Sequence, residues 1–231
     1  MRRSLAAVGA VAVGLLTACA SAPPGPRTAT LTAATGQSGA TLNVHTGTAL
    51  LKIGMANFGA GGSLVRVSTP AGDPAPHLRD TTQPGGNAVV DLSAPGASDV
   101  TVTLNTAVRW QLNLGGGTTR TSADLRGGQV RGIAFTAGSD VISLALPQPH
   151  GSVLVRLAGG ASRFLVSLPR GVQARVTTVG GAGEVSLDGQ DHVGVAGGSV
   201  FTTPGWAAGA AGFDVDATAG AAQVSVTARA S

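Results

Sequence analysis

Four histidines and eleven acidic residues are the side chains of this 231-residue chain that could carry acid–base or metal chemistry. No two histidines stand at the short spacing of a zinc site, and neither His-Glu-x-x-His nor Gly-x-Ser-x-Gly occurs. The sequence therefore predicts no metal, no cofactor and no catalytic residues. The histidines are His45, His77, His150 and His192.

The densest polar stretch runs from Asp188 through Gly189, Gln190 and Asp191 to His192. Such a stretch could ligate a cation, but Asp-Gly is a common turn pair between strands, and a turn is the favoured interpretation. Asp191 and Asp214 are separated by about one repeat of the pattern described below, so we expect them to approach each other in stacked repeats.

Tryptophan and arginine are the other candidate binding residues. Trp110 opens an alternating segment and is expected to pack in the core, whereas Trp206 follows Pro204-Gly205 on an expected loop. Asp214 and Asp216 are two residues apart in an alternating segment, so their side chains share one face of the expected strand. Four arginines fall in neighbouring repeats and are predicted either to line one face or to be solvated separately: Arg156, Arg163, Arg170 and Arg175.

The start of the chain has the order of a secretory leader. Arg2 and Arg3 precede an apolar run over 5–18, which is shorter than the roughly 20 residues of a membrane-spanning helix. The run ends in Leu-Thr-Ala before Cys19, the chain's one cysteine, and resembles a bacterial lipobox. That resemblance implies removal of 1–18 and lipidation of Cys19. Several acyl chains would anchor the protein to a membrane, and the Pro-rich segment 19–30 would act as a tether.

Composition excludes several classes of protein. Charged residues make up 11% of the chain, aromatic residues 3%, and there are 36 glycines and a net charge of +4. The apolar content of 43% is too high for a disordered chain. No basic cluster could neutralise a row of phosphates, so nucleic acid is not an expected partner.

The body of the chain repeats. Short alternating segments end in a glycine at positions 96, 116, 138, 160, 181 and 220, which gives spacings of 20, 22, 22, 21 and 39 residues. The last spacing is close to two repeats. The sequence therefore predicts repeats of about 21 residues over 90–231, preceded by a looser part over 31–89, of which 37–79 is expected to form a cap.

Alternation with a period of two predicts strands, so the fold class is all-β. Identical glycine and proline offsets favour a single-stranded right-handed β-solenoid, in which each repeat packs on its neighbours. A β-sandwich built from hairpins of similar length is the alternative. Glycines at the corners would permit tight turns and supply positive φ where it is needed.

Several motifs carry a family resemblance over 110–231. They are W-x-L-x-L-G-G from Trp110, A-D-L at Ala123, and the strands L-A-L-P and L-V-S-L-P on either side of V-R-L-A-G-G-A-S. This part of the chain resembles the bacterial toastrack superfamily, which includes LiaF-like envelope-stress proteins and domains described as adhesins. The resemblance implies a β-helix-like fold, commonly attached to a membrane.

The sequence thus predicts a lipid-anchored protein at the outer face of the bacterial cytoplasmic membrane. It is interpreted as a non-catalytic, adhesin-like binding or scaffold surface whose partner is an envelope protein or a cell-wall polymer. A link to envelope-stress sensing rests on the family resemblance alone. The alternative is a carbohydrate-active β-helix enzyme, which would need clustered titratable groups.

Overall fold

A computed structural model describes residues 25–33, 36–59, 61–82 and 87–228. These residues form nineteen strands and no helix, which confirms the all-β prediction, and none of them belongs to a helix that could span a membrane. The predicted leader 1–18 and the lipidation site Cys19 lie outside the described residues.

The strands are short and follow one another closely along the chain. They are β1 (Arg27–Thr32), β2 (Gly39–Val44), β3 (Thr48–Ala56), β4 (Ser63–Thr69), β5 (His77–Asp80), β6 (Ala88–Ser93), β7 (Asp99–Asn105), β8 (Arg109–Leu114), β9 (Thr118–Asp124), β10 (Gln129–Phe135), β11 (Ser139–Ala145), β12 (Ser152–Leu157), β13 (Ala161–Leu168), β14 (Gln173–Thr178), β15 (Ala182–Leu187), β16 (Gln190–Val195), β17 (Ser199–Thr202), β18 (Gly212–Ala217) and β19 (Ala221–Ala228).

The strands form two mixed sheets. The ten-stranded sheet has the order β1-β4-β7-β3-β9-β11-β13-β19-β15-β16, and the nine-stranded sheet has the order β17-β14-β18-β12-β10-β8-β2-β6-β5. Pairing is parallel from β7 to β15 in the first sheet and from β14 to β6 in the second. The strands at both ends of each sheet pair antiparallel.

Seven pairs of consecutive strands make up the parallel part of both sheets. We call each pair a unit: a strand of the nine-stranded sheet followed by a strand of the ten-stranded sheet. The units take the same order in both sheets, which is β6/β7, β2/β3, β8/β9, β10/β11, β12/β13, β18/β19 and β14/β15. The six segments that the sequence aligns on a following glycine are the strands β6, β8, β10, β12, β14 and β18 of the nine-stranded sheet.

The inner faces of the two sheets share one apolar core. The rings of Phe135 on β10 and Phe164 on β13 meet edge to face with centroids 5.9 Å apart, which joins the sheets at mid-stack. Trp110 is fully buried, as predicted, and its indole nitrogen donates to the Asn105 carbonyl at 3.0 Å. Val, Leu, Ile and Ala fill most of the remaining core.

One backbone hydrogen bond recurs where each unit turns from the nine-stranded to the ten-stranded sheet. The bond joins each unit to the next in the stack at 2.8–3.0 Å, so it continues the strand ladder around the corner. Its six copies run from His45 N to Leu92 O, Gly115 N to Val44 O, Thr136 N to Leu114 O, Ala158 N to Phe135 O, Thr218 N to Leu157 O and Val179 N to Ala217 O.

The corner glycines are required for space more than for φ. A Cβ built on Gly116 would lie 1.7 Å from the Thr46 carbonyl oxygen of the neighbouring unit, and one on Gly159 would lie 2.2 Å from the Ala137 carbonyl. Neither glycine has a positive φ. Positive φ is therefore not what requires glycine at these two positions, where close approach of two backbones excludes a side chain.

Antiparallel strand pairs cover both ends of the stack of units. At one end β17 and β16 run back along β14 and β15 in one uninterrupted register, from Arg175 opposite Thr202 to Leu187 opposite Gln190. At the other end β4 pairs with β7 and β5 with β6, and β1 adds to the outside of β4. We call the β16/β17 end the tip and the β1/β5 end the base.

The spacing of 39 residues after Gly181 does not hold a second parallel unit. Asp188 (φ 49°) and Gly189 (φ 80°) reverse the chain, so the intervening residues form the antiparallel strands β16 and β17. The chain then passes back, and β18/β19 lies between β12/β13 and β14/β15.

The N-terminal part also departs from expectation. β1 begins at Arg27, inside the predicted tether 19–30, because the Thr-Ala-Thr-Leu-Thr alternation that follows pairs with β4. Within 37–79, expected to form a cap, β4 and β5 do lie at the base. β2 and β3 form a regular unit with parallel neighbours on both sides.

The close approach at the corner predicts an intolerant glycine. We expect Gly116→Ala to lower the free energy of unfolding by about 1–3 kcal/mol, since the methyl group must displace the Thr46 carbonyl. Gly54→Ala on β3 is the control, because a Cβ there meets nothing within 4 Å and φ is not positive. Denaturant unfolding measures both, and equal effects would contradict the steric role.

Adjacent residues on β12 test the assignment of inner and outer faces. Val155 is fully buried, whereas Leu154 is 42% exposed. We expect Val155→Asn to cost about 2 kcal/mol or more, because its amide would be buried without partners, and Leu154→Asn to cost less than about 0.5 kcal/mol. Asparagine is chosen because Asp214 lies beside Leu154 and would repel a carboxylate. Thermal melting that ranks the two variants in the opposite order would show that the faces are reversed.

Candidate functional site

The four histidines do not form a single cluster in the described residues, although His45 and His77 line the same groove. His77 begins β5, His150 lies in the turn before β12, and His192 lies on β16 at the tip. His45 follows β2, where its Nε2 lies 3.3 Å from a carboxylate oxygen of Asp91. No group of three or more His, Cys, Asp or Glu side chains with metal-binding geometry occurs in the described part of the chain.

The polar stretch 188–192 is a hairpin turn and the start of an edge strand. Asp188 and Gly189 both have positive φ, as the central residues of a type I′ turn require. The Asp188 carboxylate accepts a hydrogen bond from the backbone nitrogen of Ala228 at 3.2 Å. The turn interpretation is therefore confirmed.

Asp191 and Asp214 do not stack as expected. Asp191 lies on β16 in the ten-stranded sheet, whereas Asp214 lies on β18 in the nine-stranded sheet. The prediction is wrong because a spacing of one repeat assumed a parallel unit between them, where the chain instead forms the antiparallel tip. Asp214 is engaged by Arg175, with Nε to Oδ1 at 2.9 Å and a second, shorter contact from Nη2 to Oδ2.

The four arginines do not line one face. Arg156 and Arg175 lie on the nine-stranded sheet, Arg163 lies on the ten-stranded sheet, and Arg170 lies in the turn after β13. Arg156 pairs at 3.8 Å with Asp216 of the adjacent strand. The Arg175 guanidinium also lies 5.9 Å from the ring of half-buried Trp206. Arg156 and Arg175 are therefore each matched to a carboxylate of a neighbouring strand.

The outer face of the nine-stranded sheet carries a row of side chains joined by hydrogen bonds. Asn113 donates through Nδ2 to Asn43 Oδ1 at 2.8 Å, and Asn43 donates through Nδ2 to Asp91 Oδ1 at 2.8 Å. Gln111 donates to Asn113 Oδ1 at 3.3 Å, and the Thr81 hydroxyl donates to Asp91 Oδ2 at 3.2 Å. We call these five residues the amide ladder.

Register explains how the ladder forms. Asn43, Asn113 and Asp91 occupy the same position in three neighbouring units, on β2, β8 and β6. The signal was present in the sequence as Leu-Asn-Val, Leu-Asn-Leu and Val-Asp-Leu at the ends of these strands. The same register position is occupied by Ala134 on β10 and by Arg156 on β12.

The ladder is directed toward one carboxylate. The hydrogen bond from Asn43 has the largest effect on Asp91 and lowers its pKa. Burial raises that pKa by less than Asn43 lowers it, and hydrogen bonds from His45 and Thr81 lower it further. A carboxylate held in this way stays ionised, so the ladder ends in a fixed negative charge. An open groove of about 450 Å³ lies beside it, lined by His45, His77, Arg79, Asp91 and Ser93 among others.

The outer face of the ten-stranded sheet has a second, hydroxyl-lined groove. It has a volume of about 320 Å³ and crosses β9, β11, β13 and β19. The Asp124 carboxylate forms an ion pair with Arg126 at its margin. The hydroxyl residues that line it are Ser122, Ser143, Ser167, Ser225 and Thr227.

Comparison with known proteins supports the fold. No family model matches the chain, and no curated protein matches it. The structure is similar to a crystal structure, at 1.95 Å resolution, of a putative cell adhesion protein from Clostridium sporogenes ATCC 15579. The two superpose with a TM-score of 0.61 at 17% sequence identity, over 87% of this chain and 99% of that one. At this identity the likeness shows the fold alone.

The pKa of Asp91 gives a test of the ladder. The pKa of Asp91 is lower in the folded than in the unfolded state, so its ionised form stabilises the fold. That stability is fully present above the unfolded pKa of about 3.9 and is lost as the pH falls through the folded pKa. We expect Asn43→Ala to raise the pKa of Asp91 and to flatten the pH dependence of stability in acid. Carboxyl NMR titration measures this. Asn113→Ala, one step further along the ladder, should have a smaller effect; an unchanged pKa in Asn43→Ala would contradict the ladder's direction.

Proposed function

We propose that this protein is a lipid-anchored cell-envelope lipoprotein that acts as a non-catalytic, adhesin-like binding surface. The observation that carries the proposal is the amide ladder, an ordered row of hydrogen-bonding side chains on an outer sheet face. Rows of this kind suit a broad partner, because stacked repeats present the same position at each step. The partner class is an envelope protein or a cell-wall polymer.

The fold likeness favours the same reading. The neighbour in Clostridium sporogenes is described as a putative cell adhesion protein, and it aligns over nearly its whole length. The seven units with a common order are consistent with coils of one solenoid of the toastrack type, and we propose this over the sandwich. A right-handed course would follow the usual preference of parallel crossover connections.

The anchor would hold the base of the stack near the membrane. Only eight residue-to-residue steps separate Cys19 from Arg27, where β1 begins at the edge of the ten-stranded sheet. Fully extended, they reach at most about 28 Å. Since β1 lies at the base, the tip would lie at the end far from the attachment point.

A single experiment on cells tests anchoring and binding together. Wild type should partition with the membrane fraction and carry lipid by intact mass, whereas Cys19→Ser should be released. Chemical cross-linking of the wild type should capture an envelope protein or wall glycan, and Asn113→Arg on the ladder should reduce capture at least several-fold, because the larger cation disrupts the row.

Thr101→Arg is the matched control, since it places the same side chain at an exposed position of β7 on the outer face of the other sheet, away from both grooves. Far-UV circular dichroism verifies that both variants are folded. Equal capture by both variants would contradict the assignment of the ladder as the binding face. Unlipidated wild type in the soluble fraction would contradict the anchor, and glycan turnover by the wild type would favour the enzyme alternative.

A further inference from the structure

The two ends of the stack differ in how their strand edges are protected. At the base, β1 lies next to β5, and these edge strands carry Arg27, His77, Arg79 and Asp80. Charged residues on an edge oppose pairing with another strand. At the tip, β16 and β17 are the last strands of their sheets within the described residues. Their sequences, Gln-Asp-His-Val-Gly-Val and Ser-Val-Phe-Thr, contain one acidic residue and neither lysine nor proline.

The tip also exposes apolar side chains. Residues 190–194 of β16 are all exposed, and Val193 and Val200 are 83% and 55% exposed. The His192 and Phe201 rings lie 4.5 Å apart and bridge the two edge strands. An open cavity of about 480 Å³ lies beside this pair, lined by Leu187, Gln190 and Pro204 among others.

These edges specify what can cover them. Within the described residues no further strand pairs with either edge, so each presents backbone N–H and C=O groups that are complementary to another strand. The two edges belong to packed sheets, which lie about 10 Å apart, so a partner that pairs with both must offer two strands at that separation. A second copy of the same tip offers such strands. We propose that this protein forms a two-fold symmetric dimer through β16 and β17 of each copy.

A two-fold axis perpendicular to the sheets gives the required geometry. It sets each edge strand antiparallel to its own copy and continues both sheets across the interface, which makes the contact isologous. In a register centred on Val193 the two Val193 side chains are adjacent and Asp191 faces Val195. The two Asp191 residues are then about 13 Å apart along the strand, beyond the screening length of about 8 Å at physiological salt.

The size of this contact fits a reversible dimer. Pairing five residues of β16 (191–195) and four of β17 would form about nine backbone hydrogen bonds, within the range typical of protein interfaces. The contact would also cover Val193 and Val200. The bases of the two copies would lie at opposite ends of the assembly.

Cysteine cross-linking tests the two-fold register. In the full chain with Cys19→Ser, Val193→Cys places the thiols of two copies on paired antiparallel residues, whose Cα atoms lie about 4.5–5.5 Å apart, within disulfide range. We expect mild oxidation to convert most of this variant to a covalent dimer. Leu154→Cys in the same background is exposed on a sheet face away from the tip and should stay monomeric. Equal cross-linking of both would overturn the proposed register.

Sedimentation tests the interface independently. The Cys19→Ser chain should be dimeric at roughly 100 µM, and Val193→Lys should shift it to monomer with an unchanged melting temperature. Thr30→Lys adds the same charge to the exposed side of β1 at the base and should leave the dimer intact. A monomeric parent chain, or a dimer that survives Val193→Lys, would overturn the proposal. The Cys19→Ser chain has no lipidation site, so neither result bears on the proposed lipoprotein function, which is tested separately.

Discussion

The corner hydrogen bond between neighbouring units is the constraint on which the rest of the structure depends. A parallel strand has no partner within its own hairpin, so each unit can satisfy its backbone only with the units above and below it. Carrying the ladder around the corner requires two backbones to meet at contact distance, which excludes a Cβ at Gly116 and Gly159. The hydrogen bond at the corner fixes the register of neighbouring units in both sheets. That register determines which side chains lie next to one another in a row on the outer faces.

The same constraint explains the order of the units. A stack of parallel strands has two open edges, and a terminal unit at an edge would be paired on one side only. Here the first and last units in the chain, β2/β3 and β18/β19, each lie one place inside the end of the stack. The units that cover them, β6/β7 and β14/β15, are themselves covered by antiparallel strands, which are β4 and β5 at the base and β16 and β17 at the tip. The first and last parallel units in the chain are thus paired on both sides, which limits their fraying.

The sequence predicted the elements of this fold better than their order. Alternation identified the inward residues, such as Val155, and the glycine spacing identified six strands of one sheet. The sequence did not predict that β18 lies between β12 and β14, because every unit in register presents the same backbone edge to its neighbours. Asp191 was misplaced because the turn at Asp188 and Gly189, both with positive φ, reverses the chain where another parallel unit was assumed. The amide ladder was missed because β2, which supplies Asn43, was assigned to a cap.

Register also determines where function can lie. Because the corner hydrogen bonds fix the register, the same outward-facing position recurs on neighbouring strands. A row of polar side chains forms when that position carries a polar residue in successive units. Asn113, Asn43 and Asp91 form such a row, and each amide is aligned by the next, so the charge of Asp91 is held where the row ends. A partner that extends along the stack axis meets this order at intervals of about 4.8 Å. The outer faces can therefore vary in chemistry while the inner faces and corners keep the fold unchanged.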